Sequence, residues 1–151
     1  MKAGGELARE SVSAVGATNK RWTRQYALVP MASWPGLDDL IWLFESDPEI
    51  KYEDLGYPAS ATTFTTERGG LSIRFMIAPY SYTVELQVLH GDSEVVALRM
   101  PEIVAAVDLD KAGGAEALVV TFDRNSRLNA LRVQLKPRVS VTFDAQPPWA
   151  R

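Results

Sequence analysis

LSIRFMIAPYSYTVELQV, residues 71–88, decides the fold. Leu71, Ile73, Phe75 and Ile77 alternate with Ser72, Arg74 and Met76. After the break Ala78-Pro79-Tyr80-Ser81, the residues Tyr82, Val84, Leu86 and Val88 alternate with Thr83, Glu85 and Gln87. A period of two is the signature of strands with one buried and one wet face. Two such runs a few residues apart predict an antiparallel pair, because parallel strands need a much longer crossover.

Working outward, the same period continues on both sides. Residues 61–66 are threonine-rich around Phe64, and Glu67-Arg68-Gly69-Gly70 predicts a hairpin turn, since glycine accepts the positive φ such turns require. Downstream, turns are predicted at Gly91-Asp92-Ser93, Lys111-Ala112-Gly113-Gly114 and Asp123-Arg124-Asn125-Ser126. Between and beyond them, Glu94 to Met100, then Leu118, Val120 and Phe122, then Leu131, Val133 and Leu135, and finally Val139, Val141 and Phe143 read as strands. Pro101 interrupts the series. The apolar stretch Glu102 to Leu109 fits either strand or helix by periodicity, and strand is preferred here. With no long helical pattern between strands, hairpins and a meander are expected, not βαβ units.

Upstream lies one clear helix, read over residues 34–46. Leu37, Leu40, Ile41 and Phe44 make an apolar stripe, broadened by Trp34, Trp42 and Leu43. Ser33 is the expected cap, Pro35 suits a first turn, and Asp38 and Asp39 lie where the helix dipole favours negative charge. Asp47-Pro48 can begin a further turn that stops at Gly56. The fold class is therefore α+β: a mainly antiparallel sheet covered by one or two short N-terminal helices. The expected organisation is a polar lead over residues 1–21, a single α+β domain over 22–145, and a tail over 146–151. Within the lead, Leu7, Ala8, Val12 and Val15 fit a helix over 6–15, and a frayed lead fits as well. Trp22, Tyr26 and Leu28 give 22–29 the look of a first strand, ended by Pro30.

Composition narrows the chemistry. The chain has 151 residues and no cysteine, which removes disulfides, thiolate nucleophiles and cysteine-ligated metals. No apolar stretch approaches the roughly 20 residues of a membrane span, and the start lacks the apolar run of a signal peptide. A cytoplasmic location is expected. The net charge of −3 gives no bulk attraction to nucleic acid. Its distribution is uneven: residues 38–54 carry seven acids and one base, whereas 123–138 carry five bases and one acid. The two regions either attract each other in the fold or each face a partner.

Catalytic signals are weak. His90 is the single histidine and precedes a turn glycine, which suits a strand end better than a general base. Asp108-Leu109-Asp110 places two carboxylates on one strand face, a pattern that can hold a divalent cation but that also marks a solvated strand end. Neither Gly69-Gly70 nor Gly113-Gly114 has the context of a phosphate loop. Arg124, Arg127, Arg132, Lys136 and Arg138 form a basic set without the interleaved exposed aromatics of a nucleic-acid reader. The chain is thus expected to be non-enzymatic, with no catalytic residues, no metal and no cofactor.

The remaining signal is the acidic segment, which also carries aromatics. Rings supply buried anchors and acids steer a basic partner, so Asp38, Asp39, Trp42, Glu45, Asp47, Glu49, Tyr52, Glu53 and Asp54 are the candidate partner-binding residues. An alternative is a small-molecule or lipid-binding β-rich domain whose sheet curls round an apolar cavity. A sheet edge also leaves room for a homodimer. The layout of a short helix with Trp34, Leu37, Leu40 and Phe44, then Tyr57-Pro58, then a strand-rich half from Phe64 to Phe143 resembles small bacterial immunity proteins of polymorphic-toxin systems. The resemblance covers residues 34–143 and rests on architecture, so no functional residue is carried over. It implies a protein that binds a cognate toxin in the cytoplasm, often a basic one, and blocks its active site.

Overall fold

The computed structural model describes residues 34–144. The lead at 1–21, the strand expected at 22–29, the Ser33 cap and the tail at 146–151 lie outside the described residues.

Helix α1 spans Leu37–Phe44, shorter at both ends than the 34–46 expected. Gly36 precedes it in an extended conformation, so Pro35 stands before the helix and not in its first turn. At the other end Glu45 turns left-handed (φ 54°), and its N–H still bonds the Ile41 carbonyl, which closes the last turn. Asp38 and Asp39 occupy the first turn, as the dipole favours. Leu40, Leu43 and Phe44 form the buried stripe.

Among the described residues, nine strands follow in two antiparallel sheets. The first sheet runs in chain order: β1 (Glu49–Ile50), β2 (Thr62–Arg68), β3 (Leu71–Ala78), β4 (Thr83–His90) and β5 (Ser93–Met100). The second does the same: β6 (Val104–Asp110), β7 (Glu116–Phe122), β8 (Leu131–Lys136) and β9 (Ser140–Thr142). The meander expected from the turn spacing is present, with Phe64 opposite Phe75 and Phe75 opposite Leu86. Gly69 and Gly70, at φ 57° and 83°, make the β2–β3 turn.

One sheet was the simpler expectation, and the chain divides it after β5. Pro101 has no N–H to donate, and Glu102 takes a left-handed conformation (φ 60°), so the ladder cannot continue. The chain instead crosses over, with the Val104 N–H bonded to the Tyr82 carbonyl and the Asp123 N–H to the Ile103 carbonyl. Residues 104–110 are a strand. Its register shifts between Val104 and Ala106, a bulge that puts Val104 and Val107 on the same buried side. That three-residue spacing is what made the stretch read ambiguously.

Each sheet buries one face. Phe64, Ile73, Phe75, Ile77 and Val84 are fully buried in the first, and Leu118, Val120, Leu131 and Val133 in the second. Phe44 of α1 stacks on Phe64 and Phe75, with ring centroids 5.1 and 5.8 Å away. The helix thereby covers the apolar face of the first sheet, and Phe44 is its main anchor. No helix among the described residues is long and apolar enough to cross a membrane.

Candidate partner-binding surface

The segment 38–54 holds two arrangements of acid and ring that look alike in sequence. The first lies on α1. Trp42 is 46% exposed, yet the Lys111 ammonium sits 4.0 Å from its ring centroid and that of Lys136 5.8 Å away. Three residues on, Glu45 pairs with Lys136 of β8 and lies 3.6 Å from Arg68 of β2. Lys136 also meets Glu116 of β7 at 3.1 Å, and Arg68 donates to the Leu43 carbonyl at 3.4 Å. The C-terminal end of α1 is therefore tied to both sheets. The Lys136 hydrogen bond and the Arg68 charge hold the Glu45 carboxyl below the ordinary glutamate range, and the two glutamates raise Lys136.

The second arrangement follows the helix. After β1, the chain makes one tight turn in which the Leu55 and Gly56 N–H groups both donate to the Tyr52 carbonyl, at 3.0 and 3.1 Å. Its base is pinned twice: the Tyr52 N–H donates to Ser60 Oγ (2.8 Å), and the Lys51 N–H to the Ala61 carbonyl (2.9 Å). Behind it, the Tyr57 hydroxyl donates to the Pro35 carbonyl at 2.6 Å, and burial pushes its phenol pKa up. The turn is held at both ends by hydrogen bonds and presents Tyr52 (51% exposed) and Leu55 (57% exposed) outward. Asp47, Glu53 and Asp54 of the same segment are exposed and form no ion pair among the described residues. Glu49 reaches Arg74 at only 3.8 Å, a solvent-exposed contact worth little. Asp38 and Asp39 remain exposed on the first turn of α1.

Of the nine candidate residues, then, Trp42 and Glu45 are engaged by cations of the fold. The other seven are exposed, with Tyr52 near Lys51 (5.4 Å) and Glu49 near Arg74 as their only such neighbours among the described residues. Leu55 was not among the candidates. Its one sequence signal is its place three residues after Tyr52 and just before Gly56, which puts both side chains on one side of a helical turn. The acidic and basic segments attract each other through a single ion pair, Glu45 with Lys136.

The other groups considered for chemistry have structural roles. Asp110 accepts from the Ala112 N–H at 2.9 Å and pairs with Arg132 at 2.6 Å, and both contacts lower its pKa. No group of three or more acids and histidines able to hold a metal occurs among the described residues. His90 is exposed at the end of β4. Phe122 is buried and packs edge-on against Phe143, so neither ring joins the basic residues as a stacking surface. The cleft bordered by Tyr82, Ile103, Phe122 and Arg124 measures about 540 Å³ and is open to solvent, unlike an interior ligand cavity.

No protein-family model and no curated protein matches the sequence. Among solved structures, the chain is similar to a chain of the contact-dependent growth inhibition toxin–immunity protein complex from Klebsiella pneumoniae 342. The TM-score is 0.60 at 13% identity, and the match covers 74% of this chain and 95% of that one. At this identity the likeness is one of fold.

Proposed function

We propose that this chain is a non-enzymatic protein-binding domain, an immunity protein that neutralises a cognate bacterial toxin in the cytoplasm. The observation that carries the reading is the Tyr52–Leu55 turn: two large apolar side chains held outward by backbone hydrogen bonds, in a segment whose exposed acids Asp47, Glu53 and Asp54 form no ion pair among the described residues. Exposed rings and aliphatic groups supply buried contact area, and the acids steer a basic surface toward it. The binding surface comprises Asp38, Asp39, Asp47, Glu49, Tyr52, Glu53 and Asp54, with Leu55 added and Trp42 and Glu45 at its inner border. The likeness of fold to a chain from a toxin–immunity complex supports the same reading.

The test is co-purification from the source cells at low and high salt, with the bound protein identified by mass spectrometry. A single stoichiometric protein released by salt is expected. A bound small molecule with no protein would overturn the reading and favour a ligand-binding domain.

A further inference from the structure

Among the described residues, strand β5 is an edge of the first sheet. Among the described residues it pairs only with β4, and the ladder there is Val84 with Met100, Leu86 with Leu98 and Val88 with Val96. On β4 the inward side chains Leu86 and Val88 are 2% exposed, whereas their neighbours Leu98 and Val96 on β5 are only half-buried, and Val95 is 55% exposed. Apolar surface is thus left uncovered at this edge. Edges of this kind are commonly blunted by proline or lysine, and β5 (SEVVALRM) contains neither. Its charges are Glu94 and Arg99, and a bulge at Val95 lies near the start of the strand and leaves Val96–Met100 regular.

We propose that β5 is the interface of a homodimer, pairing antiparallel with β5 of a second copy about a twofold axis at Ala97. The sequence of the strand fits itself in this register. A twofold pairing requires opposed residues to lie on the same face, so their numbers must sum to an even value. With Ala97 opposite Ala97, the small side chains meet at the axis, and Val96 opposes the second copy's Leu98 twice on the apolar face. On the wet face Arg99 comes opposite the bulge, beside the second copy's Glu94. Glu94 does face that side, because its carboxylate accepts from Gln87, which alternates with buried Leu86 and Val88. The dimer therefore covers the half-exposed Val96 and Leu98 and closes two Glu94–Arg99 pairs by symmetry. It joins two five-stranded sheets into one. The acidic turn follows β1, at the opposite edge of the same sheet, so it stays available to a partner.

Sedimentation velocity on the full chain, without any partner, tests this from micromolar to near-millimolar concentration. The expected result is a shift from one chain to two, with amide protection over Val95–Arg99 that rises with concentration. Glu94→Arg alone and Arg99→Glu alone each oppose like charges at two symmetric sites and weaken association by about tenfold or more. The double exchange Glu94→Arg/Arg99→Glu restores it, which a fold defect would not. A chain that stays monomeric throughout overturns the proposal, and protected β5 amides in that monomer assign the edge to another segment of the same chain. A dimer that ignores both single reversals also overturns it. Charge reversal in the acidic turn leaves the dimer intact, so failure here is separable from failure of the toxin-binding reading.

Discussion

Trp42 with Glu45 and Tyr52 with Glu53 are alike in sequence: an exposed ring with an acid close by, ten residues apart. In the structure they differ in where their counter-charges come from. Lys111 and Lys136 reach Trp42, and Lys136 and Arg68 reach Glu45. In the segment of Tyr52 and Leu55, the acids Asp47, Glu53 and Asp54 have no such cations among the described residues. The first set fastens a helix to two sheets, and the second stays exposed to solvent. A charged residue's role thus depends on distant parts of the sequence that the fold brings to it.

The comparison can be broken at several points. The largest effect is expected at the anchor beneath the first set. Phe44→Ala removes a fully buried ring stacked on Phe64 and Phe75, and lowers unfolding stability by about 3–5 kcal/mol in urea denaturation. No change there would mean that α1 is not held by its apolar stripe.

A smaller effect is expected from Lys136→Met. It leaves Glu45 with Arg68 alone and Glu116 without its cation, so the melting temperature falls by a few degrees and Trp42 fluorescence changes. The same variant sharpens a pH prediction. Glu45 and Asp110 have depressed pKa values, so their contribution to stability is present above the ordinary carboxylate range and lost as pH falls through the depressed values. Lys136 is raised, so its contribution is present below the ordinary lysine range and lost as pH rises through the raised value. Thermal melts across pH should show stability falling at both ends, and Lys136→Met should soften both falls. The alkaline fall softens only in part, because the raised Tyr57 phenol also loses stability as pH climbs above the ordinary tyrosine range.

The smallest effect on stability belongs to the turn. Asp47→Lys, Glu49→Lys and Glu53→Lys each alter an exposed side chain outside the ion-pair cluster at the end of α1. Each should shift stability by no more than about 0.5 kcal/mol. A large loss would show that these acids hold the fold together, as Glu45 does.

Much of the architecture was legible in the sequence because it rests on local period. The alternation of Leu71 to Ile77 and of Val84 to Val88, the Gly69-Gly70 turn and the helix around Leu40 and Phe44 appear where they were expected, although Leu43 is fully buried while Leu37 and Ile41 of the expected stripe are only half-buried. The division into two sheets was not legible, although Pro101 marked the place, because a proline interrupts a strand without saying where the chain goes next. The β6 bulge was hidden for a related reason: one extra residue converts a period of two into a spacing of three. The helix was overread by a few residues because Pro35 suits a first turn as well as the approach to one. For the candidate surface, composition marked the segment but not its inner border, since Lys111, Lys136 and Arg68 lie on other elements. Leu55 went unnoticed because a lone leucine in an acidic stretch carries no period.

The most direct measurement compares the wild-type chain with the combined Asp47→Lys/Glu49→Lys/Glu53→Lys variant in one experiment: thermal melting, and recovery of the protein that co-purifies from the source cells. The account predicts an almost unchanged melt and loss of the bound protein from the variant. Full retention of that protein by a folded variant would contradict it.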